Sequence, residues 1–107
     1  MSLRWPNKDK DEMLDYSLDW SRFLQTGETL LSVTWKIKDA DGTKVSFSTS
    51  DTVDGLTLTS KSNTSTLATV FLSDGTDNKQ YTLYCNVTTS TGRVAERPVK
   101  IRIREYI

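Results

Sequence analysis

The sequence contains no histidine, and its 107 residues include one cysteine, Cys85. Without histidine there is no Ser-His-Asp or Cys-His arrangement, no imidazole general base, and no access to most zinc sites. A lone cysteine closes no internal disulfide, and Cys85 stands in an apolar row, where a thiol reads as an inert core side chain. Proline is confined to Pro6 and Pro98. No apolar run approaches the roughly 20 residues needed to cross a bilayer. The first residues also lack a basic stretch followed by an apolar one, so export by a signal peptide is not expected. Fourteen basic and fourteen acidic side chains cancel to a formal net charge of zero, which offers no general attraction to nucleic acid or anionic lipid. Nowhere does an apolar stripe of helical period run for more than a turn or two.

What the chain does have is alternation. Leu14, Tyr16, Leu18 and Trp20 alternate with Asp15, Ser17, Asp19 and Ser21, the period of two of a half-buried strand. Thr29 to Lys38 follows as a second strand, with Leu31, Val33, Trp35 and Ile37 expected on one face and Ser32, Thr34, Lys36 and Lys38 on the other. Asp39 to Thr43, with Gly42, reads as a hairpin loop. Val45 and Phe47 form a short strand, Ser48 to Asp54 a loop, Leu56 and Leu58 another brief strand, and Ser60 to Thr66 a turn by composition. In Thr66 to Leu72 the row Ala68, Val70 and Leu72 is opposed by Leu67 and Phe71, the pattern of a strand covered on both faces. After the Asp74 to Asn78 turn comes the central strand up to Thr89, with Tyr81, Leu83, Cys85 and Val87 inward. A hairpin at Thr91-Gly92 leads to the last strand, where Val99, Ile101 and Ile103 face inward and Lys100, Arg102 and Arg104 outward. Pro98 cannot donate to a ladder and belongs at a strand start, an edge or a bulge. The expected fold is all-β: one sandwich of about seven strands over residues 13–107, preceded by an extended charged arm over residues 1–12.

The pattern at Asp77 to Thr89, an acidic residue followed by Tyr81 and alternating apolar positions, resembles strand F of immunoglobulin-like sandwiches, in which the tyrosine forms a corner. Trp35 resembles the core tryptophan of strand C. Leu83 occupies the place of the disulfide cysteine, so the resemblance implies a sandwich without a disulfide.

Few residues carry chemistry. The acidic turns at Asp39-Ala40-Asp41-Gly42 and Asp74-Gly75-Thr76-Asp77 lack the twelve-residue ligand loop of a calcium site and read as hairpin chemistry, so no metal or cofactor is expected. Asp15 and Asp19 lie on the polar face of a strand with no sign of a cleft, so no enzymatic activity is expected. The row Lys100, Arg102, Arg104 reads as a solvated face or an ion-pair row. Five bases between Arg93 and Ile107 and the acids Asp9, Asp11, Glu12, Asp15 and Asp19 would pair internally if the first and last strands were adjacent. Asn63-Thr64-Ser65 and Asn86-Val87-Thr88 fit the glycosylation pattern, which has no meaning without secretion. Trp5 either folds back onto the domain or anchors a partner, and Tyr84 interrupts the polar face of the central strand. The expected partner contacts are Trp5, Tyr84 and Arg93, the residue types that dominate interfaces.

Trp5-Pro6, Lys8-Asp9, Glu12, Leu14-Asp15-Tyr16, Leu18-Asp19-Trp20-Ser21, Leu24, Gly27-Glu28-Thr29, Ser32 and Trp35 together resemble the phage fiber-tail adaptor family. The second half extends the likeness through Leu72-Ser73, Tyr81-Thr82-Leu83, Thr88-Thr89, Gly92-Arg93, Arg97 and the final strand. The resemblance implies a non-enzymatic component of a phage or prophage tail that joins tail and fibre proteins. It places the protein in the virion, or in the bacterial cytoplasm before assembly, with ring-like copies and with no nucleic-acid, membrane or small-molecule partner. The alternative class is a generic immunoglobulin-like module that binds carbohydrate or a cell-surface protein.

Overall fold

The computed structural model describes residues 3–104, and within them it is a two-sheet β-sandwich. Chain order runs β1 (Leu3–Arg4), β2 (Leu14–Asp19), β3 (Leu30–Lys38), β4 (Lys44–Ser46), β5 (Thr52–Val53), β6 (Leu56–Asn63), β7 (Leu67–Asp74), β8 (Gln80–Thr89) and β9 (Val94–Arg102). One sheet has the order β1-β9-β8-β3-β4 and the other β2-β7-β6-β5. Strand pairs are antiparallel except β1, which runs parallel to β9. The two-residue strands β1 and β5 account for the excess over the expected strand count.

Alternation places the core. Ala68, Val70 and Leu72 of β7, Leu83, Cys85 and Val87 of β8, and Val99 and Ile101 of β9 are fully buried between the sheets. Trp35 lies beneath them at 2% exposure and packs on Trp5 at 5.8 Å between ring centroids. Tyr81 ties the sheets' ends: its hydroxyl donates to the Asp54 carbonyl at 2.6 Å and accepts from the Thr76 N–H at 2.9 Å. This is the corner that the spacing implies, a buried phenol satisfied by backbone. Nearby, Gly75 has φ +110°, and a Cβ there would stand 2.7 Å from Ile103 Cγ1, so that turn admits no side chain.

The structure departs from the sequence pattern at five places, the first within the expected Ser48 to Asp54 loop, where Thr52 and Val53 pair with Thr57 and Leu56 as β5. Leu30, not Leu31, is buried at the start of β3; the register shifts between Leu30 and Ser32, and this bulge turns Leu31 out to 69% exposure. Ser60 to Asn63 continue β6 against β7, so the polar tract is strand and the turn is limited to Thr64–Thr66. Composition misleads there because Ser60 to Asn63 lie beyond the β5 pairing, and a strand segment at a sheet border with a solvated face tolerates Ser, Lys and Asn. Leu67 and Phe71 are not covered; they lie 36% and 37% exposed on the outer face of the second sheet. The lead-in is extended but lies along β9 instead of standing free. Arg4 registers with Lys100, Trp5 N–H donates to the Lys100 carbonyl at 2.9 Å, and Lys8 bridges Ile103. Residues 1 and 2 of that lead-in, and Glu105 to Ile107 of the basic tail, fall outside the described residues.

Pro98 sits in mid-strand without cost. Lys100 presents its backbone to β1, so Pro98, two residues earlier, faces the same side, away from the β8 ladder.

Candidate functional site

On the lateral side where β2 borders one sheet and the part of β9 not paired with β1 borders the other, a groove of about 480 Å³ opens between Leu18, Asp19, Trp20, Arg22, Phe23 and Arg97. A smaller recess of about 100 Å³ lies by Val33, Trp35 and Lys61. The groove forms because the chain leaves β2 in a tight turn. The Asp19 carboxylate accepts the Ser21 N–H at 2.9 Å, and Phe23 and Leu24 donate their N–H groups to the Trp20 carbonyl. That Ser21 bond holds the Asp19 carboxyl below its ordinary value. Phe23 therefore lies edge-on to Trp20, 5.5 Å between centroids. Arginines cover the aromatic pair: the Arg93 guanidinium is 4.2 Å from the Phe23 centroid, and Arg97 is 5.5 Å from Trp20 and 5.6 Å from Phe23. Such stacking is worth about 0.5–1 kcal/mol at exposed sites.

Arg93 is fixed from behind. Glu28 is 5% exposed, and both its carboxylate oxygens bind Arg93, one through Nε at 2.9 Å and the other through Nη2. Thr89 and Thr91 hydroxyls and the Gln25 N–H complete the shell. The Arg93 bonds, then Gln25 and the two threonines, hold the Glu28 carboxyl far below its ordinary value and raise Arg93 in turn. Nη2 of Arg93 also donates to the Phe23 carbonyl at 3.0 Å. The pair thus braces the turn that walls the groove.

A second surface is the outer face of the five-stranded sheet. Residues opposite one another across a ladder share a face. Lys36 lies opposite Tyr84, Lys38 opposite Lys44, Lys100 opposite Thr82 and beside Arg4, and Arg102 opposite Gln80. Among the described strand residues of that face, Glu96 is the one carboxylate. It pairs with Lys44 at 2.6 Å, and that bond holds its carboxyl below the ordinary range. The Lys44 ammonium lies 4.3 Å from the Tyr84 centroid.

The three residues singled out from sequence are thus dispersed. Trp5 is folded back, at 6% exposure, its indole N–H donating to the Ser17 carbonyl at 3.0 Å; it seals the sandwich instead of standing out as an anchor. Tyr84 is on the basic face, half-buried, and Arg93 is at the groove. Sequence reasoning missed Trp20, Phe23 and Arg97. Phe23 and Leu24 are adjacent apolar residues that break the alternation of β2, and nothing local shows that Arg93 and Arg97 come to rest over Phe23. It also missed that Lys36 and Lys38 share a face with Lys100 and Arg102, which only the strand order reveals.

A family model described as Podophage GP4 fiber-tail adaptor protein gp77 matches residues 8–102. No curated protein matches the chain.

Proposed function

The chain belongs to the podophage fiber-tail adaptor family, and from that premise we propose that it joins a tail protein to a fibre protein by holding each on a different surface. The family match carries the reading. Family membership points to a structural role in the virion tail through contacts with other tail proteins. The finer reading is that the arginine-covered groove and the basic sheet face are the two docking surfaces. They are separate, on different sides of the sandwich, and each centres on the Trp, Tyr and Arg side chains that dominate interface energetics. Arg93 and Tyr84 are the contacts we assign, joined by Arg97; Trp5 supports the groove's side of the sandwich from within. The protein performs no chemistry of its own in this reading, and symmetric copies would ring the tail.

A carbohydrate-binding module would offer bare aromatic faces to a sugar ring. Trp20 is 3% exposed, and Arg93 and Arg97 lie over the groove's rings, so the geometry favours protein docking.

The test is co-purification with the tail and fibre proteins encoded beside this chain. A ternary complex that forms only when this chain is present is expected. Failure of the wild-type protein to bind either partner would overturn the adaptor reading.

A further inference from the structure

β9 is incompletely covered. β1 pairs with it at Val99 and Lys100, and among the described residues no strand neighbours the stretch from Val94 to Pro98 on the side away from β8. Because Lys100 faces that side and the period is two, Glu96 and Val94 present their N–H and C=O groups there too. Among the described residues these groups have no strand partner; the Glu96 carbonyl takes Arg97 Nη1 on one lone pair and keeps the other, so the row is still a template for another strand. Here it borders the groove, since Arg97 of the same stretch is one of the groove's lining residues. Val94, 65% exposed, adds an apolar contact beside it.

Of the groove's charged groups, Arg93 is committed to Glu28 and the Asp19 carboxylate to Ser21. Arg97 makes one hydrogen bond, from Nη1 to the Glu96 carbonyl at 3.1 Å. Its remaining N–H donors lie beside the aromatic pair, with exposed Arg22 on the same wall. A guanidinium fork of this kind matches a carboxylate in two-point contact.

We propose that the free edge of β9 from Val94 to Pro98 takes an extended acidic segment of a partner protein as an added strand, with a carboxylate of that segment held by Arg97 in the groove. Main-chain bonds to Val94 and Glu96 supply the affinity, and the Arg97 fork selects acidic side chains. The inference rests on the adaptor reading for the source of the segment, a tail or fibre protein.

The probes are ten-residue fluorescein-labelled peptides of alternating Thr and Val with a central Asp, Asn or Lys, read by anisotropy and by amide exchange of the intact chain. The Asp peptide is expected to bind at least tenfold more tightly than the Lys peptide and to slow exchange at the Val94 and Glu96 amides. Both Arg97→Gln and Arg97→Lys should lose that preference, the second because an ammonium keeps the charge but not the fork. Circular dichroism confirms that the variants fold, and the exchange measurement on wild type stands independently of them. Absence of binding, equal binding of Asp and Lys peptides, or unslowed Val94 and Glu96 amides would overturn the proposal. The ternary complex is assayed in parallel. If it forms with wild type while the peptides fail, the edge inference falls and the adaptor reading stands. If the Asp peptide binds but neither tail nor fibre protein does, the reverse holds.

Discussion

At opposite ends of β8, about 30 Å apart at the usual rise per residue, the sandwich buries Glu28 at one and Lys8, next to buried Asp9, at the other, and it satisfies the carboxylate and the ammonium differently. Glu28 is gripped by a cation and two hydroxyls. Lys8, fully buried, has Nζ donating to two neutral carbonyls, Asp9 at 2.8 Å and Asp74 at 2.7 Å. Both groups titrate below their ordinary values, for opposite reasons. Pairing with Arg93 stabilises the charged carboxylate, whereas burial penalises the ammonium, with Asp74 and Glu12 among the charges that offset it only in part. One end is an ion pair bracing the turn that walls the groove. The other is a clasp fastening the lead-in to the β7–β8 turn, where the ammonium's value lies in the hydrogen bonds it gives.

The lead-in end should be the more sensitive. Trp5→Ala is expected to cost about 3–5 kcal/mol, because it empties a buried site between Tyr16 and Trp35. Urea denaturation showing a loss under about 1 kcal/mol would mean that the lead-in is not part of the cooperative unit. Lys8→Met should cost about 1–3 kcal/mol, the range for buried acceptors left without a donor. If Lys8→Met were as stable as wild type, the clasp would be dispensable and the comparison would fail.

The titration signs sharpen the contrast. Glu28 has a depressed folded value, so its stabilisation is fully present above its ordinary 4.5 and is lost as pH falls through the lower folded value. The stability gap between wild type and Glu28→Gln should therefore be widest near neutrality and narrow in acid, and a constant gap from pH 7 to pH 2 would contradict the ion-pair account. Lys8 also has a lowered value, so the unfolded chain binds the extra proton and stability rises with pH up to 10.5. That alkaline rise should vanish in Lys8→Met. The smallest effect belongs between the two ends. Burial pushes the Cys85 thiol up to about 12, so thiol reagents should label folded protein no faster than it unfolds. Rapid labelling at pH 8 would show that mid-β8 opens.

Much of this architecture was legible in the chain. The rows of β2, β7, β8 and β9 showed their buried faces because a strand against one core must alternate, and the Tyr81 corner followed from its place before such a row. Leu31 was misread because a bulge inverts the phase without a local mark. The Ser60 to Asn63 tract was misread because a solvated strand segment at a sheet border has a turn's composition. Candidate contacts were the least legible. Trp5 carries the residue type of an anchor, yet its burial depends on β1 lying against β9. Arg97 carries no distinguishing neighbour, and its role depends on a turn 70-odd residues away in sequence, as the Arg93 to Phe23 bond spans |i−j| of 70.

By itself, the sequence determined the fold class, the disulfide-free core, the missing imidazole chemistry and the family likeness. Each is a property of local period or residue inventory, which no folding event can change. Tertiary structure decided which cations share a face, which arginine is held and which is open, and where a strand edge stays bare. Those are relations between strands far apart in the chain, and only the order in which the sheets assemble brings them into contact.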